Sequence, residues 1–168
     1  MPDPSIRALV IGIDAYPPDT GALDGCANDA RALAAFLEAA VPAERLALRT
    51  LLDGEATPTA VAQAFAEHLG GAGPDEVVLV TYAGHGSQAP VPGAPGEPDG
   101  LAETLCLLDA DGARADLLDR DLGALLDGAA AGGARVVAIL DCCHSGAGTR
   151  AVRGAKVRAA RRAAAPVA

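Results

Sequence analysis

Residues 135–146 read RVVAILDCCHSG, and the rest of the chain is best read outward from them. Arg135–Leu140 is a short, continuous apolar run rich in β-branched residues, preceded by Gly132 and Gly133. Such a run suits a central strand covered on both faces. It breaks at once into Asp141, Cys142, Cys143, His144, Ser145 and Gly146, so thiol and polar groups fall at the strand's carboxyl end. In open α/β sheets that end is where ligands bind.

Further upstream, Arg7–Ile13 (RALVIGI) and Glu76–Tyr82 (EVVLVTY) have the same character, and Arg45–Leu52 alternates enough for another strand. Between them, Asn28–Ala40 carries Leu33, Phe36 and Leu37 at helical spacing and stops before Pro42. Thr57–Pro58 supplies an N-cap with proline at the first helical position, opening a helix to about Leu69, where Gly70 and Gly71 end it. Asp119 is expected to cap a helix from Arg120 to about Ala131. Residues 87–100, rich in Gly and Pro, read as a loop, and Glu103–Leu108 as a short strand, half of a hairpin. This alternation predicts an α/β domain: a mostly parallel sheet, helices on both faces and right-handed crossovers.

At 168 residues the chain is one domain's worth, and 51% hydrophobic content with 2% aromatics means a core of Ala, Leu and Val. No apolar run approaches the roughly eighteen residues of a membrane span, and MPDPSIR does not resemble a secretory leader. Four cysteines, two of them adjacent, argue against a disulfide framework and for the cytoplasm. All 22 acidic residues and seven of the 13 basic ones precede Ala147, while the remaining six basic residues follow it with no acid. The chain thus divides into an acidic body, 1–146, and a basic Ala/Arg-rich tail, 147–168. So acidic a body repels nucleic acid and favours cationic partners. Neither nucleic acid nor a membrane is expected as a partner.

Two strands finish in reactive residues: the third at His85, the fourth at Cys143, 58 positions later. Only a thiolate attacks well, and a histidine within reach activates the thiol. If the two strands are neighbours, both side chains leave the same edge of the sheet. Gly84, Gly86 and Gly146 permit close backbone approach, with the N–H groups of Gly86 and Cys143 as candidate oxyanion donors. The other polar groups have plainer readings. Cys106 and Cys142 read as small buried hydrophobes, His68 as a surface residue, and Asp109, Asp111 and Asp116 as solvated loop charges. Zinc held by Cys142, Cys143, His144 and His85 is disfavoured, because adjacent ligands suit tetrahedral coordination poorly and no C-x-x-C spacing exists. The glycines around His85 lack the lysine of a phosphate-binding loop.

In their order along the chain, ALVIGID, LDGCANDA, YAGHG, LAETL and DCCHSG resemble the caspase-fold cysteine proteases. The likeness is greatest to the metacaspases and their bacterial relatives, the orthocaspases. In caspases the histidine also precedes the cysteine by about 50 residues. The resemblance implies a caspase-like three-layer sandwich over 1–146, equivalent to the large subunit. It implies a cysteine endopeptidase with Cys143 as nucleophile and His85 as base; the family's nucleophile directly precedes HSG, which selects Cys143 over Cys142. The family's acidic S1 pocket maps onto Cys26, Asp29 and Asp141, and paired carboxylates suit a guanidinium. Cleavage after Arg, and after Lys, is expected, not after Asp.

The chain departs from the family in places. Ala83 stands where many metacaspases have serine. For the calcium site of many metacaspases Asp99 and Asp119 could serve, but Arg120 and Arg150 occupy places of expected acids. Calcium wants six to eight oxygen ligands, so no metal and no cofactor is expected. The small-subunit segment that follows the nucleophile is expected to be missing from this chain. The tail would then be an intersubunit linker cut by the enzyme itself, with Arg150, Arg153, Lys156, Arg158, Arg161 and Arg162 as candidate positions. An activator protein is a further candidate partner. The rival reading is a catalytically silent scaffold of the same fold that acts by binding proteins.

Overall fold

The computed structural model describes residues 5–93 and 100–142. The chain runs β1 (Ser5–Gly12), α1 (Cys26–Ala40), β2 (Leu46–Leu52), α2 (Pro58–Gln63), β3 (Glu76–Ala83), β4 (Gly86–Pro90), β5 (Leu101–Leu108), β6 (Arg114–Leu118), α3 (Asp119–Ala130) and β7 (Arg135–Asp141). A π-helical stretch, Ala64–Leu69, prolongs α2. Strands β2, β1, β3 and β7 lie in that order in one sheet, every pair parallel. Strands β4, β5 and β6 form a second, antiparallel sheet.

Alternation along β1 assigns the two faces. Ala8 and Val10 pack with Ala30 and Leu37 of α1, whereas Leu9 and Ile11 join Val61, Phe65 and Leu69 of α2 and its extension and Leu122 and Leu126 of α3. One helix covers one face and two cover the other, so the expected three-layer arrangement of helices on both sides holds. Close docking of α1 depends on Gly12: a Cβ there would lie 2.5 Å from the Cys26 carbonyl oxygen and 2.6 Å from the Ala30 Cβ. Thr57 caps α2, its Oγ1 accepting the Ala60 N–H at 3.1 Å, with Pro58 at the first helical position, as the sequence implies.

Several expectations need correction. Among the described residues, strand β7 is an edge of the four-stranded sheet and buries one face only: Val136, Ala138 and Leu140 are in the core, but Ile139 is 42% exposed. A continuous apolar run reports that both faces are suited to cover, and here this part of the chain supplies cover to one. The segment read as a loop from Ser87 contains most of β4, and β6 also escaped notice. Both are short, and β4 ends at Pro90 on the outside of its sheet, where a missing N–H does no harm. Asp119 is the first residue of α3, with Leu118 at the cap position; its Oδ1 accepts the Arg120 N–H at 2.7 Å. His68 is half-buried, its Nε2 3.0 Å from the Ala8 carbonyl oxygen of β1. Asp116 lies on β6 in an ion pair with Arg114, and Asp109 closes a turn by accepting the N–H groups of Asp111 and Ala113. No helix among the described residues is long and apolar enough to cross a membrane.

Candidate active site

Parallel pairing aligns three strand ends in one row. Gly12 of β1 sits opposite Ala83 of β3, and Ala83 opposite Asp141 of β7. The Gly84 N–H extends the pairing to the Asp141 carbonyl at 3.3 Å. From β1 the chain crosses to β2 on one side, while β3 and β7 lie on the other, so the strand order switches direction at β1 and β3. Loops diverge at such a point and leave a crevice at the carboxyl edge. His85 leaves β3 there, two residues beyond the row, and Asp141 and Cys142 leave β7 at the same edge. The neighbouring of these two strands, on which the dyad depends, is therefore met. Cys143 lies outside the described residues, together with Gly146, Asp99, Arg150 and the basic tail.

His85 is half-buried and held at several atoms. Its Nε2 lies 2.8 Å from the Gly21 carbonyl oxygen. A carbonyl can only accept, so Nε2 carries the proton and Nδ1 keeps the free electron pair. Gly21 reaches that position through a tight turn: φ is 88°, and its N–H donates to the Pro17 carbonyl at 2.9 Å. The Tyr16 ring tilts against the imidazole with centroids 4.8 Å apart. Gly84 acquires a different reason from the one its flanking position suggested. A Cβ there would lie 2.6 Å from the Tyr16 hydroxyl and 2.7 Å from that of Tyr82, so this glycine makes room for two phenols.

Around Cys26 the site is acidic. The thiol is pushed up to about 11, first by burial, then by the Asp14 carboxylate and the charges of Asp141 and Asp29. Carboxylates from the end of β1, the first turn of α1 and the end of β7 thus act on one sulfur. Asp29 and Asp141, two of the residues expected at the pocket, and also Asp14, act electrostatically on Cys26, the third. Asp14 differs from the other two in being committed already. Its carboxylate accepts the N–H groups of Gly25, Cys26 and Ala27 at 3.3, 2.8 and 3.0 Å. Burial works to raise its pKa, but these bonds outweigh that and hold it below the usual carboxylate value. Asp53, at φ 47°, accepts the N–H groups of Asp14 and Ala15 at 2.8 and 3.0 Å. Two aspartates in series therefore fix the amino end of α1 and, with it, Cys26 and Asp29.

Sequence reasoning missed Asp14, Asp53, Tyr16, Tyr82 and the Gly21 carbonyl. One signal was available: the chain has only two tyrosines, both near the carboxyl ends of buried strands. No group of three or more metal-ligating side chains gathers among the described residues. Of the positions weighed for calcium, Asp119 and Arg120 are described, and Arg120 Nε lies 3.8 Å from Asp121 Oδ1.

Comparison with known proteins agrees in family. The model of the metacaspase, peptidase C14 domain matches residues 6–150. Metacaspase-1 of Mycosarcoma maydis is 34% identical over 145 residues, covering 83% of this chain and 35% of its own length. Metacaspase III c of Phaeodactylum tricornutum is 31% identical over 144 residues, covering 83% of this chain and 42% of its own. The chain therefore spans less than half the length of these curated relatives. A crystal structure of a Geobacter sulfurreducens protein superposes with a TM-score of 0.69 at 35% identity, covering 85% of this chain and 52% of that one.

Proposed function

Because the chain belongs to the metacaspases, a family of caspase-fold cysteine peptidases, we propose that it is an endopeptidase cleaving after Arg, and after Lys, through a Cys143–His85 dyad. The observation that carries this reading is the Gly21 carbonyl on His85 Nε2, which leaves Nδ1 as the basic nitrogen at the sheet edge where β7 delivers the chain to Cys143. Nδ1 takes the thiol proton, the thiolate adds to the scissile carbonyl, and the imidazolium, held by the Gly21 carbonyl, returns the proton to the leaving amine. Water then hydrolyses the acyl-enzyme by the same base. The N–H groups of Gly86 and Cys143 are the donors proposed for the oxyanion.

Asp29 and Asp141 are the proposed partners of the substrate's cation. Both are exposed, whereas Asp14 spends its oxygens on the helix. An uncharged Cys26 thiol adds no further negative charge. The proposed partners are accordingly protein or peptide substrates with Arg or Lys before the scissile bond. A small-subunit segment would be accommodated at β7, whose far edge pairs with no strand among the described residues and whose Ile139 face lacks cover. Self-processing in the basic tail and independence of calcium complete the reading. Fluorogenic peptides with Arg, Lys, Ala or Asp before the reporter test it. Arg should be fastest and Asp inert, and His85→Ala should lower kcat by roughly 10²-fold or more. Preference for Asp, or full activity without His85, would overturn it.

A further inference from the structure

The core of this chain is aliphatic, and both of its tyrosines meet at one histidine. Tyr16 is 5% exposed and Tyr82 1%. A buried hydroxyl is costly unless it is hydrogen-bonded, and phenylalanine would fill the same space without that demand. Among the described residues, every hydrogen bond of these hydroxyls goes to the partner phenol or to the backbone of His85 and Cys106. Tyr16 Oη accepts the His85 N–H at 3.0 Å and lies 2.8 Å from the Cys106 carbonyl. Tyr82 Oη lies 2.7 Å from the His85 carbonyl and 2.9 Å from that of Cys106. The two hydroxyls are 3.1 Å apart. Two phenolic protons can serve both carbonyls at once, Tyr16 donating to Cys106 and Tyr82 to His85, while Tyr16 still accepts from His85.

We propose that Tyr16 and Tyr82 are positioning residues for His85, clasping its backbone at both the N–H and the carbonyl and setting the tilt of the imidazole. Side chain and main chain of the base are then fixed independently: Gly21 holds Nε2, and the phenols hold the backbone. Among the described residues, neither hydroxyl is bonded to the His85 ring. The clasp lies where the two sheets meet, because the Cys106 N–H of β5 also donates to the His85 carbonyl at 3.0 Å. Burial raises the pKa of both phenols, that of Tyr16 to about 12, so both keep their protons near neutral pH.

The inference rests on His85 being the base, and its test separates the two claims. Tyr16→Phe keeps the ring against the imidazole and removes only the hydroxyl. In the expressed protein it should lower kcat for an arginyl peptide by roughly tenfold or more, with KM within about twofold, because the pocket for the cation is untouched. Nitrogen-15 spectra of the three histidines, with His85 assigned through His85→Ala, should show the neutral ring protonated at Nε2 in the wild type. In Tyr16→Phe the same resonances should move toward the average of the two tautomers. Tyr82→Phe should give a smaller loss, since Cys106 N–H still holds the His85 carbonyl. It decides the matter, together with the wild-type tautomer, if Tyr16→Phe does not fold. Folded variants with wild-type kcat and an unmoved His85 would overturn the inference, as would a wild-type ring protonated at Nδ1. Wild-type protein inert toward arginyl peptides, yet with His85 responding to Tyr16→Phe as described, would support the clasp while removing the proposed substrate preference.

Discussion

Asp14 shows how much a single side chain near the site carries. Gly25, at φ 119° in the cap position, has no side chain to cap α1, so Asp14 reaches across and accepts three of the helix's first N–H groups. Asp14→Ala leaves those donors unmet beside the proposed substrate pocket. A loss of about 1–2 kcal/mol is expected, read from denaturant unfolding, together with a weaker KM for arginyl peptides. Gly84→Ala is a different test. Its methyl would meet both phenolic oxygens below 3 Å, and overpacking of this kind costs about 1–3 kcal/mol. The variant should melt lower and turn over more slowly. The place of His85 at the carboxyl edge of the sheet was legible, because it directly follows a β-branched run that reads as a strand. Tyr16, Asp14 and above all the Gly21 carbonyl were not. A backbone carbonyl has no signature in sequence, and an aspartate reads alike whether solvated or capping a helix that begins twelve residues on.

Among elements, the parallel strands were readable from β-branched runs bounded by glycine, and α1 and α2 from spacing and capping. What the runs could not tell was lateral position. Strand β7 has the composition of a central strand and stands at an edge, since composition registers what a strand can be packed against and not what this stretch of chain provides. Strands β4 and β6 were illegible for the opposite reason: they are held by antiparallel pairing to β5 rather than by an apolar face of their own. Gly12 offers an element-scale prediction. Gly12→Ala places a methyl against the Cys26 carbonyl and Ala30, forcing α1 away from β1. The helix carries Cys26 and Asp29, so the effect should be larger on KM than on kcat, measured with the same arginyl peptide.

For the whole molecule, acid sensitivity follows from two carboxylates. Glu76 is held below its ordinary value by the Arg7 guanidinium, at 2.8 Å, and by the Gly73 N–H. Asp14 is lowered by the helix donors. A carboxylate depressed in the folded state stabilises fully above its unfolded value and loses that contribution as pH falls through the folded one. Stability should therefore be flat above the ordinary values of 3.8 and 4.5 and decline below them. Urea midpoints across that range check this, and Asp14→Asn should flatten part of the decline. At one sheet edge of the same molecule, carboxylates that act on Cys26 and an imidazole held by the Gly21 carbonyl lie near the end of β7. The most direct measurement is peptide-level mass spectrometry after exposure of the expressed protein to an arginyl chloromethyl ketone near neutral pH. One adduct on Cys143 is predicted, much slower in His85→Ala, with Cys26 unmodified because its thiol stays protonated. An adduct on Cys26 or Cys142 instead, or faster labelling by an aspartyl reagent, would contradict the account.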